Sequence, residues 1–156
     1  MSLQRLVPFF CPALGVSQLD GYFDLYNKTV TAFQQFDPLL NIGGPATEQL
    51  QWVDEFIQRT GSGKIMPAHF ISTHSYPTDY SASQMTRTLW EDNIILKAAE
   101  AEAAGLPLVM TEMAAGLTNN GSWKKAAYFD VPFAAAFIIH AFTAFLGVSN
   151  LPTLSY

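Results

Sequence analysis

Residues 106–113 read Leu-Pro-Leu-Val-Met-Thr-Glu-Met, and this stretch decides the fold. It is an apolar run that ends in a carboxylate, Glu112, and is followed by small residues. Continuous apolar runs are typical of strands buried on both faces of a parallel sheet. In α/β barrels the carboxyl ends of the strands carry the groups that act on substrate. We therefore predict that Glu112 faces a pocket; a carboxylate bonded structurally to the barrel rim is the alternative.

Helical and strand patterns alternate along the rest of the chain. The apolar spacing predicts helices over residues 21–36, 47–59, 85–104 and 131–146. It predicts strands over residues 39–44, 68–74 and 106–112, and the beginning of another over residues 151–156. Asp37-Pro38 and Gly105 are natural stops for the first and third helices, and Asp130 is a plausible N-cap for the last. Gly43 and Gly44 let the backbone turn sharply or approach a ligand closely.

The order α-β-α-β-α-β-α-β, with no hairpin signal, predicts an α/β fold with a parallel sheet and right-handed crossovers. An open doubly wound sheet and part of a (β/α)8 barrel both fit this order. The chain has 156 residues. A complete barrel needs roughly 250 residues, so about half of one would fit.

Composition excludes several classes of function. The chain is 49% hydrophobic and 13% charged, which indicates one compact domain. Its net charge is −5 and it has no basic cluster, so nucleic acid is a poor partner. Cys11 is the single cysteine and cannot form a disulfide within the chain. The apolar residues 132–148 are too few for a membrane span of about 20 residues, and we predict a buried helix there.

The N-terminal residues leave the compartment open. Arg5 and the apolar residues 6–16 resemble a short signal peptide, but two prolines interrupt the run and no small-x-small cleavage site follows. Glycosylation triplets at Asn27 and Asn120 would suit a secreted protein, and such triplets also occur by chance. These features favour an extracellular or lysosomal location without deciding it.

Three further residues are candidates for substrate binding. His74 is the last residue of the strand predicted over residues 68–74, and Tyr76 follows that strand. We expect both side chains to point into the same pocket as Glu112. Imidazole and phenol groups hydrogen-bond to sugar hydroxyls or to a carboxylate, although His74 could equally be a packed rim histidine. Trp123 lies in the loop after Glu112 and could stack on a sugar ring.

Other chemistries find little support, and no metal or cofactor site is predicted. His69 and His74 lie five residues apart on a predicted strand, on opposite faces, which disfavours a shared metal. The phosphate-loop-like residues 61–64 are followed by Ile65 where Ser or Thr is required. No G-x-S-x-G elbow supports a serine triad. Only Glu112 is a glutamate at a clear strand end, whereas a retaining glycosidase needs two carboxylates roughly 5–5.5 Å apart.

Four stretches together resemble glycoside hydrolase family 39, the β-xylosidase and α-L-iduronidase family. Residues 22–38 resemble the helix after the family's fourth strand. Asn-Ile-Gly-Gly-Pro-Ala at 41–46, Phe-Ile-Ser-Thr-His-Ser-Tyr-Pro at 70–77 and Val-Met-Thr-Glu at 109–112 resemble its fifth, sixth and seventh strands. Residues 130–137 and 155–156 resemble the approach to the eighth. The resemblance covers residues 21–156 as a partial TIM-barrel catalytic domain and leaves residues 1–20 unmatched.

The resemblance implies a retaining β-glycosidase that hydrolyses O-glycosyl bonds in a glycoside or oligosaccharide. Glu112 would then be the nucleophile, with His74 and Tyr76 holding the substrate. The family's acid/base glutamate, in an Asn-Glu-Pro motif, has no counterpart, so the chain alone is expected to be inactive. Met113 also stands where an aromatic residue commonly follows the nucleophile, and His69 stands where the family usually has an acidic residue.

Two other classes of function stay open. A non-catalytic relic that binds carbohydrate or a partner protein is the main alternative, and a membrane-associated protein using residues 132–148 is a weaker one. Half of a barrel leaves strand edges and apolar faces uncovered, which predicts self-association.

Overall fold

The computed structural model describes residues 18–61, 63–80, 87–116 and 132–154. The elements follow the predicted alternating order. They are α1 (Gln18–Phe36), β1 (Gly43–Thr47), α2 (Val53–Arg59), β2 (Phe70–His74), α3 (Arg87–Ala103), β3 (Leu108–Glu112), α4 (Pro132–Phe145) and β4 (Thr153–Leu154). Single 3₁₀ turns, Glu48–Leu50 and Pro77–Asp79, follow β1 and β2. The protein is therefore an α/β fold, as predicted.

The four strands form one parallel sheet in chain order, β1-β2-β3-β4. Two register shifts lie toward the carboxyl ends of the strands: the pairing of β1 with β2 skips Ala46, and that of β2 with β3 skips Thr111. Bulges of this kind re-aim side chains and are common next to functional sites. Both shifts lie at the edge that carries His74 and Glu112.

The core lies between the helices and one face of the sheet. That face presents Ile71, Leu108 and Met110, each fully buried. The helices contribute the other large members of the same cluster: Phe23, Tyr26, Val30, Val53, Phe56, Trp90, Ile94, Phe137 and Phe145. Helices on one face of a parallel sheet are the arrangement found in α/β barrels.

The first strand and the second helix begin later than predicted. Leu39 and Leu40 are exposed, and the Leu39 N–H is bonded to Asp37 Oδ1 in the turn after α1, so the strand begins only at Gly43. The predicted helix over residues 47–59 is also wrong in its first half. Left-handed backbone at three residues, Gln49, Leu50 and Trp52, delays α2 until Val53. Leu50 is buried all the same, and for that reason the apolar spacing resembled one continuous helix.

Gly43 and Gly44 allow close packing within the protein. A Cβ at Gly43 would overlap the carbonyl oxygen and ring of Phe70, and one at Gly44 would overlap the Tyr22 hydroxyl and press on Phe56. Glycine here lets β1 lie close to β2 on one side and lets α1 and α2 lie close to β1 on the other.

The third helix ends where Gly105 predicted. Gly105 has φ +73°, and the N–H groups of Gly105 and Leu106 are bonded to carbonyl oxygens in the last turn of α3. Asp130, the predicted N-cap of α4, lies outside the described residues.

The prediction of a buried helix over residues 132–148 holds for one face only. Ala134, Phe137 and Ala141 are buried, but Ile139 and Leu146 are exposed. Within the described residues, no helix combines the length and the apolar character that crossing a membrane requires.

Candidate active site

Three of the predicted site residues meet at the carboxyl edge of the sheet. His74 is the last residue of β2 and Glu112 the last of β3, and the register shift at Thr111 places them opposite each other. Tyr76 follows β2 by two residues, and its hydroxyl donates a hydrogen bond of 2.5 Å to Glu112 Oε2. Two neighbouring parallel strands therefore hold all three groups.

Tyr76 and Glu112 differ in exposure. The Tyr76 side chain is buried, at 5% exposure, whereas Glu112 is open to solvent. Burial raises the pKa of the Tyr76 phenol, and the hydrogen bond to Glu112 and the carboxylate charge raise it further. The phenol therefore stays protonated at neutral pH and acts as a donor. Glu112 keeps one carboxylate oxygen fixed by this bond and faces solvent.

The half-buried His74 extends the same edge. Its ring centroid lies 6.3 Å from that of Tyr76, with an angle of 62° between the planes. The imidazole and phenol rings thus lie next to each other, at the edge of the sheet that carries Glu112. An edge of this kind can contact the ring and hydroxyls of a sugar.

Asp79 fixes the backbone of Tyr76 and was not among the predicted site residues. Asp79 Oδ2 accepts hydrogen bonds from the Tyr76 backbone N–H at 2.7 Å and from the Ser75 hydroxyl at 3.3 Å. It thereby closes the 3₁₀ turn Pro77–Asp79 onto the end of β2. The signal was present, since Tyr-Pro-Thr-Asp places an acidic residue three positions after the residue it caps.

Glu48 is the second residue that was missed. It follows Thr47, the last residue of β1, and its charge contributes to raising the pKa of Asp79. The expectation of a single glutamate at a strand end is therefore wrong. The error has a physical cause: the predicted strand ended at residue 44, which placed Glu48 inside a helix that does not form there.

His69 lies away from this edge. His69 precedes β2, at the opposite end from His74, and its Nδ1 accepts the Ile42 N–H at 3.0 Å. Trp90 of α3 is fully buried against Phe137 and Phe145, in the core. Trp123 lies outside the described residues.

The described ranges contain no cluster of three or more His, Cys, Asp and Glu side chains that could hold a metal ion. A solvent-facing carboxylate fixed by a phenol is suited to nucleophilic attack or to binding a polar ligand.

Comparison with known proteins identifies the family. A model described as glycosyl hydrolases family 39 matches residues 14–152. A curated beta-xylosidase from Caldicellulosiruptor saccharolyticus is 34% identical over 134 residues. That match covers 78% of this chain and 25% of the relative, so the chain spans about a quarter of the relative's length.

The fold is similar to that of several solved structures, among them two enzymes. The GH39 enzyme from Xanthomonas axonopodis pv. citri superposes with a TM-score of 0.65 at 23% identity, covering 87% of this chain and 28% of that one. A glucosidase from Croceicoccus marinus gives a TM-score of 0.55 at 19% identity, with the same coverage. At these identities the likeness establishes the fold alone: the sheet and helices correspond to part of a larger enzyme chain.

Proposed function

Since this chain belongs to glycosyl hydrolase family 39, we propose that it forms the nucleophile side of a retaining β-glycosidase site of the β-xylosidase type. Its strands β1, β2, β3 and β4 would correspond to strands five to eight of a (β/α)8 barrel, within a partial catalytic domain over residues 21–156. The substrate would be a glycoside or oligosaccharide.

The hydrogen bond from Tyr76 to Glu112 is the observation that carries this proposal. A nucleophilic carboxylate has to present one oxygen to the anomeric carbon while the other oxygen is held. Tyr76 holds Oε2 of Glu112 at 2.5 Å, and the exposed carboxylate leaves its other oxygen accessible. The family match adds the class of bond on which such a carboxylate would act.

Each site residue then has a role. Glu112 attacks the anomeric carbon and forms the glycosyl-enzyme intermediate. Tyr76 orients Glu112, and His74 and Trp123 contact the sugar. This division assigns binding and orientation to the phenol, imidazole and indole rings, and covalent chemistry to the one exposed carboxylate among these four residues.

The acid/base catalyst would come from outside this sequence. A retaining mechanism needs a second carboxylate roughly 5–5.5 Å from the nucleophile. The sequence contains no Asn-Glu-Pro motif. Glu48 and Asp79 share the carboxyl edge, but Asp79 is bonded to the turn after β2. General acid assistance contributes roughly 10²–10⁴-fold, so the isolated chain should be nearly inert on natural glycosides.

A mechanism-based label tests the proposal without the missing acid. The probe is a 2-deoxy-2-fluoro-xyloside with a dinitrophenol leaving group, which departs without protonation. Intact-mass measurement should show one covalent adduct on the wild-type chain and none on Glu112→Gln. Glu48→Gln is the matched control, since it removes a neighbouring carboxylate of the same edge, and it should still label.

The neighbouring rings of His74 and Tyr76 also fit a second candidate, a non-catalytic protein that binds carbohydrate or a partner protein. No adduct on the wild type, together with equal xylo-oligosaccharide binding by wild type and Glu112→Gln, would support this candidate. It would also refute the nucleophile role of Glu112.

A further inference from the structure

The register shift next to Glu112 decides which face of the sheet this carboxylate reaches. Leu108 and Met110 of β3 are fully buried on the core face, and in a regular strand Glu112 would point the same way. The pairing skips Thr111, however, and Glu112 lies opposite His74. A shift of one residue moves a side chain to the other face of a sheet. The shift therefore turns Glu112 out of the core and toward the edge that carries His74.

The skipped residue keeps a contact with the neighbouring strand through its side chain. Thr111 Oγ1 donates a hydrogen bond of 3.0 Å to the carbonyl oxygen of Thr73, the residue before His74. An extra residue in one strand interrupts the backbone hydrogen bonds at that point. The Thr111 hydroxyl thus links β2 and β3 where the backbone register changes.

The same arrangement recurs at the other register shift. There the pairing of β1 with β2 skips Ala46, and Thr73 Oγ1 donates a hydrogen bond of 2.7 Å to the carbonyl oxygen of Thr47. Thr73 is fully buried. Each shift is therefore accompanied by a threonine hydroxyl that is bonded to the main chain of the preceding strand. This recurrence indicates that the hydroxyls hold the shifts in place.

We propose that Thr111 is a positioning residue for Glu112, because its hydroxyl holds the register shift that brings the carboxylate to the Tyr76 hydroxyl. The consequence for catalysis rests on the proposed function of Glu112 as the nucleophile. The contact from Tyr76 to Glu112 Oε2 does not, since it is present in the fold itself. Without the Thr111 hydroxyl, β3 relaxes toward regular register and draws Glu112 away from Tyr76.

A double-mutant cycle in urea unfolding tests this link without any sugar. Tyr76→Phe should lower the urea midpoint of the wild-type chain, because it removes the hydrogen bond to Glu112. In a Thr111→Val background the same substitution should lower the midpoint by less than about half as much, because that hydrogen bond is already weakened. In a Thr111→Ser background, which keeps the hydroxyl, the full effect should return. Thr111→Ala, which lacks the hydroxyl and is smaller, should reproduce the result with valine.

Thr73→Val is the matched control for a general loosening of the sheet. It removes a threonine hydroxyl of the same kind from the shift between β1 and β2, which does not carry Glu112. It should lower the urea midpoint and yet leave the effect of Tyr76→Phe unchanged. An equal reduction of that effect in the Thr73→Val and Thr111→Val backgrounds would show that Thr111 has no specific role.

The 2-deoxy-2-fluoro-xyloside label measures the consequence for Glu112 as a nucleophile. Labelling of Thr111→Val should be slower than that of the wild type by at least about 10-fold, since misplacing a reacting group by about 1 Å can cost about 100-fold in rate. Thr111→Ser should restore most of the wild-type rate. A wild type that does not label would refute the nucleophile role alone, and the unfolding cycle would still decide whether Thr111 positions Glu112.

Three results would overturn the proposal. They are additive effects of Tyr76→Phe and Thr111→Val on the urea midpoint, a Thr111→Ser variant that behaves like Thr111→Val, and a Thr111→Val chain that labels at the wild-type rate.

Discussion

Tyr76 connects the backbone after β2 to the carboxylate of Glu112. Its N–H is bonded to Asp79 and its hydroxyl to Glu112, so a single residue links the 3₁₀ turn to the end of β3. The buried ring limits the positions that the hydroxyl can reach. At the residue scale, this link is the feature on which the reactivity of Glu112 should depend.

Replacing Tyr76 with Phe should slow covalent labelling at Glu112 by about 10- to 100-fold, because a hydrogen bond to a charged group is worth roughly 1.5–3 kcal/mol. Labelling rates from intact mass give the measurement. Tyr26→Phe is the matched control: it removes a hydroxyl that is bonded to Pro67 O at 3.0 Å, far from the carboxyl edge. Equal labelling rates for Tyr76→Phe and the wild type would contradict the orienting role.

Asp79 makes stability depend on pH. Burial raises the pKa of Asp79, and the charge of Glu48 adds to this, outweighing the hydrogen bonds from Tyr76 and Ser75 that lower it. The folded state therefore holds this proton more tightly than the unfolded chain does. The contribution of Asp79 to the free energy of unfolding is then greatest at low pH. It declines as the pH rises from the usual aspartate pKa through the raised one.

Asp79→Asn removes this titration, because asparagine is neutral at every pH. The variant should be less stable than the wild type by a larger margin at about pH 4 than at about pH 7. Urea unfolding at both pH values, at one protein concentration, measures the two margins. A margin that grows toward neutral pH would show that ionised Asp79 stabilises the fold.

At the scale of the elements, β1 depends on the absence of side chains at its start. Gly43→Ala should lower the free energy of unfolding by about 1–3 kcal/mol, because the new Cβ would overlap the Phe70 carbonyl of the paired strand. Gly147→Ala provides the control, since nothing lies within 4 Å of a Cβ there, and should change stability by less than about 0.5 kcal/mol. Equal urea midpoints for the two variants would argue against the tight β1–β2 pairing.

Sequence patterns predicted the elements best where a single local signal marks the element. The continuous apolar run identified β3, and Gly105 identified the end of α3, because each signal reflects local physical chemistry. The start of β1 and the break before α2 were missed. The start of β1 depends on a tertiary contact, the close approach of Phe70 to Gly43. The break before α2 depends on left-handed backbone at Gln49, a residue type that rarely adopts it and so gives no sequence signal.

The same limit explains what was predicted of the site. His74, Tyr76 and Glu112 were expected at one edge because parallel strands end together. Their placement in the structure follows that rule, while their roles in catalysis stay proposals. Glu48 and Asp79 were missed because both lie in 3₁₀ turns. Turns of three residues leave no apolar period to detect.

At the scale of the whole molecule, the core is closely packed, whereas several large apolar side chains on the surface are exposed. The helix–sheet interface is closely packed around Phe56, Trp90 and Phe145. On the outer helices, Phe33 and Phe36 of α1 and Ile139 and Phe142 of α4 are instead exposed. Fully burying a large apolar side chain gains roughly 1.5–3 kcal/mol, so these side chains favour the self-association that the sequence predicts.

Self-association of this chain, expected from the sequence, would couple its stability to concentration. For a folded dimer and unfolded monomers, a 100-fold rise in protein concentration stabilises the dimer by about 2.7 kcal/mol at 25 °C. The urea midpoint of the wild type should therefore rise between about 1 and 100 μM. The Phe33→Lys/Phe36→Lys variant places like charges on the exposed face of α1, so its midpoint should rise less. A midpoint that stays constant with concentration in the wild type would contradict self-association through these side chains.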